Sequence, residues 1–349
     1  MDRSELEAQV RGGELISNVD LRGADLAGAD LAGGLFDEVR FAGADLTGAR
    51  LNESVFTGCD FDGCAMTGAN LHLTTMATCT LKGARLDGAR LVAAKLLECA
   101  LGGASLAGSD LALAGFVKAD LSGADLSRTK LDRVSIVESL VAGMRLEGAD
   151  LHKTAIVQTD LTEVKLAGLR CRIGIFLQSK LAGMNLSRLD LTLCQFSDAD
   201  LSGADLSGAT LTQCNFKGAN LTRARLVNAS SRSAVFYQAD LTGADLSGAD
   251  LSQSIFVEAN LTRISASKAR MDRCAFARAS CFGASFLGAD LGLADFTHAD
   301  LSFADLSHAN LLRARLHRIK DDQAVFTSRS LAHGDDAELA AAEDHAARR

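Results

Sequence analysis

One feature constrains this chain more than any other: a period of five. Read every fifth residue from Ile16, and Leu21, Leu26, Leu31, Phe36 and Phe41 follow in one phase as far as Leu331, 64 positions without an insertion or deletion. Fifty-nine of them are Leu, Phe, Ile, Met or Val; the exceptions are Cys171, Ser231, Ala266, Cys281 and Asp321. Two residues earlier the chain places a small side chain, with Ala at 34 of the 61 positions from Ala24 to Ala324. Ala24-Asp25-Leu26, Ala204-Asp205-Leu206 and Ala244-Asp245-Leu246 are instances of the unit.

A period of five matches neither the helical 3.6 nor the strand 2.0. A helix would turn these leucines in all directions, and one long strand would put alternate leucines on opposite faces. A chain that turns a corner every five residues sends one large and one small residue inward on each side. Gly23, Gly28 and Gly33, two places after the large residue, suit such a corner. Phenylalanine sets the number of sides. Ten of the 16 Phe (Phe36, Phe56, Phe116, Phe176, Phe196, Phe216, Phe236, Phe256, Phe276 and Phe296) share one 20-residue phase. Twenty residues per turn means four sides of five, with phenylalanines stacked along one wall.

The A-[D/N]-L-x-x pattern over residues 16–331 resembles the pentapeptide-repeat family. The resemblance implies an all-β fold, a right-handed quadrilateral parallel β-helix of about 16 coils here. At the ~4.8 Å strand spacing such a solenoid is roughly 75 Å long. A ladder that uses every N–H explains why the chain has no Pro. Each coil would contact only its neighbours.

The open ends need covers. Residues 1–15 read as an N-terminal helical cap, with Ser4-x-x-Glu7 as a capping box and Leu6 and Val10 on the buried face. Residues 332–349 read as a C-terminal helix or a flexible tail. Its acids come first (Asp335, Asp336) and Arg348 and Arg349 last, matching the helix dipole. The repeat is least regular between Thr129 and Cys194, where Val134, Met144, Val164, Leu169, Met184 and Leu189 replace small residues and predict a locally wider coil.

Chemistry-bearing residues follow the packing phase. Cys59, Cys64, Cys79, Cys99, Cys194, Cys214 and Cys274 occupy the small inward column, and Cys171 and Cys281 the large one. They read as reduced core residues, not as a disulfide or zinc framework. His72 and His152 point outward four coils apart. His298 and His317 fall on one side in neighbouring coils, two imidazoles with no third ligand in the repeat. No carboxylate pair, nucleophile motif or phosphate loop stands out, so no catalytic residue, cofactor or metal is expected. The N-terminus lacks the basic and apolar regions of an export signal, and no apolar run approaches the ~18 residues of a membrane span; the expected location is cytoplasmic.

One outward column departs from the polar rule. Leu97, Val117, Val137, Val157 and Leu177 follow the large residue on the Phe wall in five successive coils. Ile175 lies on the same wall, and Leu113, Ile173 and Leu193 at the adjoining corner. Such a strip marks a protein-binding or self-association surface; β-branched residues also suit a flat strand wall.

Three functions remain. The first is a non-enzymatic interaction scaffold. The opening LEAQVRGGELISNVDLRGADL is similar to the starts of pentapeptide-repeat proteins that accompany type VI secretion spikes and effectors, which implies an adaptor in effector loading. The second, also implied by the family, is DNA mimicry directed at DNA gyrase. A mimic presents unpaired anions at duplex density, one per ~1.7 Å. Here the two ends carry −2 and −3 of the net −8, leaving −3 for residues 16–331, and columns such as Asp30, Arg50, Asn70, Arg90, Asp110, Lys130, Asp150, Arg170, Asp190 mix both signs. The third is a secreted effector acting through its surface. Direct nucleic-acid binding is not expected.

Overall fold

The unit of the fold is a hydrogen-bonded step between coils. Leu21 donates its N–H to the Arg40 carbonyl (2.8 Å), and Arg40 donates to the Val19 carbonyl (2.9 Å). Large residue and preceding residue thus bond to opposite neighbours, and the step repeats at every side. The corner is closed within the coil: Ala24 N–H donates to Leu21 C=O at 3.1 Å, and Gly23 between them takes φ 65°. The Asp that precedes the large residue also has a fixed task. Asp45 Oδ1 accepts the Thr47 N–H at 2.9 Å, an Asx turn that satisfies the next corner. Its carboxyl is held below the ordinary range by the Thr47 hydroxyl and N–H. Ala-Asp-Leu is therefore a packing residue, a turn residue and a core residue in order.

The computed structural model describes residues 1–166 and 169–347. They form two compact units, Met1–Ser179 and Lys180–Arg349. Both are parallel β-solenoids with a 20-residue register, and the chain makes about sixteen turns.

In the first unit α1 (Arg3–Arg11) precedes an eight-stranded parallel sheet in sequential order: β1 (Leu15–Ser17), β2 (Leu35–Asp37), β3 (Val55–Thr57), β4 (Thr75–Ala77), β5 (Lys95–Leu97), β6 (Gly115–Val117), β7 (Ser135–Val137) and β8 (Ala155–Val157). The other sides are chains of single β-bridges, such as Asp30↔Arg50 and Arg50↔Asn70. Leu6 and Val10 of α1 are buried. Arg3 donates to the carbonyls of Ala27 and Gly28 (2.8 and 2.9 Å), and Glu7 accepts the Asp30 N–H (3.1 Å), so α1 satisfies groups on an otherwise open edge. The capping box expected at Ser4 is not used. Asp2 is the N-cap and accepts the Glu5 N–H at 2.9 Å, which leaves Glu7 free to reach the first coil.

The second unit is regular. Phe196, Phe216, Phe236, Phe256, Phe276 and Phe296 stack with centroids 4.5–5.1 Å apart. It ends in the pair β9 (Asp305–Leu306) and β10 (Val325–Phe326) and in α2 (Ala337–Ala347). The register does not persist to Leu331 as the sequence predicts. Arg313 N–H bonds to the Leu331 carbonyl and Leu316 N–H to the His333 carbonyl, spans of 18 and 17 residues where the regular step is 19, as from Leu21 to Arg40. With residues dropped and no following coil to cover it, Leu331 is 63 % exposed. Asp336 caps α2 by accepting the N–H groups of Glu338 and Leu339. Arg348 and Arg349, expected to complete that helix, lie outside the described residues.

The widened stretch is buried but less completely. Val134 and Met144 are closed off, Val164, Leu169 and Met184 are slightly open, and Leu189 is half-buried.

Candidate protein-interaction surface

The wall β1–β8 alternates strictly, one buried residue between two outward ones. Parallel register stacks Leu97 on Val117, Val117 on Val137 and Val137 on Val157. The Gln158 N–H donates to the Leu177 carbonyl at 3.0 Å, extending the column, and Ile175 bridges Ala155 beside it. Five of the predicted strip residues thus form one line. Leu97 is 38 % exposed, and Val117, Val137, Val157 and Leu177 are half-buried by their neighbours.

The corner residues behave otherwise. Leu113 and Ile173 are in the same corner column, but Arg133 and Lys153 stand between them in the hydrogen-bond ladder. Leu193 falls in the second unit. Ile173 has φ 59°, a conformation a β-branched residue rarely takes. Glycine takes the same corner position at Gly13 and Gly33 of its column.

Four outward apolar residues lie beyond the strip expected from the sequence. Leu15, Leu35 and Val55 occupy the position before it in register, and Leu15 is 62 % exposed. Leu73 is exposed in the Leu113 column, with Ala93 between them. Taken with the strip they make a continuous face. Over β1–β8 the outward residues include two charges, Asp37 and Lys95. Along the following corner the surface turns polar, with Lys118 4.0 Å from Glu138 and Gln158 Nε2 donating to Gln178 Oε1 at 2.9 Å.

Side-chain donors brace this wall at several of its corners. Among the described residues no backbone turn bond closes its corners at Val39, Cys59, Cys79, Cys99 or Ser139. Instead Cys79 and Cys99 Sγ donate to the carbonyls of Ala77 and Leu97 (both 3.4 Å), and Ser139, Thr159 and Ser179 Oγ donate to those of Val137, Val157 and Leu177 (2.9, 2.9 and 3.3 Å). Ser139 Oγ also accepts the Ala119 N–H (3.1 Å). The carbonyls of Leu97, Val137, Val157 and Leu177 in the strip are thus held from the inner column, as are those of Thr57 and Ala77 below it.

All nine cysteines are buried and unbridged. Burial pushes the Cys64 and Cys274 thiols up to about 12, so these are packing groups and not nucleophiles. His72 is half-buried with Nδ1 3.0 Å from the Val92 carbonyl. His298 and His317 do approach, with ring centroids 5.7 Å apart.

A family model described as pentapeptide repeats (8 copies) matches residues 16–52, 35–72, 94–133, 176–213, 214–253, 245–280 and 274–313. The chain belongs to the pentapeptide-repeat family. Solved structures of the family align with it. QnrB1, a plasmid-mediated fluoroquinolone resistance protein, is 18 % identical over 52 % of this chain and 88 % of its own, with a TM-score of 0.45. HetL, involved in heterocyst differentiation regulation in the cyanobacterium Nostoc sp. strain PCC 7120, is 22 % identical over 96 % of this chain and 94 % of its own, with a TM-score of 0.25. A pentapeptide repeat protein of the Arabidopsis thaliana thylakoid lumen is 39 % identical over 30 % of this chain and 67 % of its own, with a TM-score of 0.23. No curated protein matches the sequence. Membership in the pentapeptide-repeat family accounts for the buried columns. No helix among the described residues is long and apolar enough to cross a membrane.

Proposed function

We propose that this pentapeptide-repeat protein is a non-catalytic scaffold that holds another protein on the β1–β8 wall. The observation that carries the reading is the near absence of charge on that face, two charged side chains against Leu15, Leu35, Val55, Leu97, Val117, Val137 and Val157. Burying apolar surface yields about 25 cal/mol per Å². A flat apolar field with a polar margin is how protein interfaces are organised. The partner is a protein that presents a complementary apolar face. The Val117/Val137/Val157→Asp variant tests this. It puts three charges into the centre of the interface, and the partner that co-purifies with the wild type is lost, a drop of at least about 100-fold in affinity, two steps of 1.4 kcal/mol. The circular dichroism spectrum stays the same. Undiminished binding by a folded variant refutes the scaffold surface.

A narrower reading makes the partner a type VI secretion spike or effector. Its support is the opening stretch 6–26, and a pull-down that recovers neither protein removes it. Mimicry of DNA is disfavoured by the way carboxylates pair up the ladder. Asp30 meets Arg50 at 3.0 Å, Asp250 meets Arg270 at 3.3 Å, Asp295 meets Arg315 at 3.3 Å, and Asp125 meets Arg145. Inhibition of gyrase supercoiling by the purified chain would restore it.

A further inference from the structure

The C-terminal helix creates a cluster that the repeat does not contain. In its final coils the second unit places His298 and His317 next to each other, and α2 returns to insert Glu343 between them. Glu343 Oε1 lies 3.0 Å from His298 Nε2, and Oε2 lies 3.4 Å from His317 Nε2. One ligating atom from each residue falls within 4.8 Å of the other two. His317 is fully buried, while His298 and Glu343 stay half-exposed. Beside this cluster α2 is held by Arg318, which donates to the Ala340 carbonyl at 2.9 Å and pairs with Asp344. Its apolar face is Leu339, 40 % exposed, and alanines. Isolated helices this short are marginal in water.

We propose that His298, His317 and Glu343 bind one divalent cation of the zinc class and that the cation fastens α2 to the solenoid. Two imidazoles and one carboxylate suit zinc and its transition-metal neighbours, whereas calcium and magnesium prefer oxygen. At zinc–ligand distances of ~2.0–2.1 Å, tetrahedral ligands are ~3.3 Å apart, close to the two imidazole–carboxylate distances of 3.0 and 3.4 Å. The surroundings support each ligand. Arg318 Nε holds Glu343 Oε2 at 3.2 Å and leaves Oε1 to the cation. Asp335 Oδ1 is 3.7 Å from His317 Nδ1. His317 Nδ1 accepts the Asp336 N–H at 3.1 Å, which places the ring proton on Nε2. When the cation takes Nε2 the ring proton must sit on Nδ1, so the bond from the Asp336 N–H is given up and Asp335 Oδ1, 3.7 Å away, becomes the acceptor, the carboxylate–histidine–metal relay of many zinc sites.

The full-length chain, stripped with a chelator, is titrated with zinc chloride and followed by calorimetry and by hydrogen exchange of residues 337–347. One equivalent binds, and protection of the α2 amides rises at least about tenfold, or 1.4 kcal/mol. His298→Ala and Glu343→Gln, both at half-exposed positions, each weaken binding by about 100-fold or more. Cobalt substitution separates this site from the nine thiols, since nitrogen and oxygen ligands give d–d bands without sulfur charge transfer. The proposal fails if one equivalent of zinc does not bind, if both variants bind as the wild type does, or if the cobalt spectrum carries the thiolate band.

Discussion

The Phe wall is built in two ways. In the second unit the residue three places after each Phe is Ala, and its N–H closes the corner on the Phe carbonyl: Ala219 on Phe216, Ala239 on Phe236 and Ala259 on Phe256, at 3.0–3.1 Å. In the first unit the same place holds Val19, Val39, Cys59, Cys79, Cys99, Ala119, Ser139 and Thr159, and the corner opens into a three-residue strand. At Cys79, Cys99, Ser139 and Thr159 a side-chain donor captures the carbonyl two residues earlier. Ala119 sits at an open corner because its N–H goes to Ser139 Oγ of the next coil, while Val19 and Val39 open with no side-chain donor at all. Both versions of the wall carry few outward charges, Asp37 and Lys95 over β1–β8 and Lys217 and Asp295 over residues 195–297.

This comparison breaks most readily at Ser139. Removing its hydroxyl leaves the Ala119 N–H without its partner and the Val137 carbonyl with the Lys118 N–H alone. Ser139→Ala is expected to cost about 1–3 kcal/mol, the usual penalty for an orphaned buried group, and to speed exchange in β6 and β7. The converse change in the second unit, Ala239→Ser, stays within about 1 kcal/mol, since the added hydroxyl can turn back on the carbonyl three residues before, as Ser109 does on Leu106 at 2.7 Å. Equal losses in a denaturation series would mean that the donor does not set the corner. Cys99 gives the smaller effect. A thiol is a weak donor, and its contact with the Leu97 carbonyl is 3.4 Å. Cys99→Ala costs about 1 kcal/mol and Cys99→Ser less.

Much of the buried architecture was legible because it is written in phase. The Phe column, the inward cysteines and the Leu97–Leu177 line each occupy one class of position modulo 20, and a parallel ladder in register keeps such classes together. The outer face was read only in part. Leu15, Leu35 and Val55 belong to the position before the large residue, where Asp and Asn usually stand, and Arg133 and Lys153 divide a corner column that spacing alone makes continuous. The ends were least legible. The loss of register past Arg313 comes from a chain with no further coil to pair with. Glu343 meets His298 across 45 residues only because α2 folds back, and no period encodes that return.

The claim that the β1–β8 wall is the docking face meets its most direct test in site-specific photocrosslinking. A photoreactive side chain is placed at Val137 in the full chain, and another at Lys217, an outward and exposed position on the Phe wall of the second unit. In the native cell, Val137 should capture one protein in a single discrete adduct, and Lys217 should capture none. An adduct from Lys217 equal to that from Val137, or no adduct from Val137, would contradict the account.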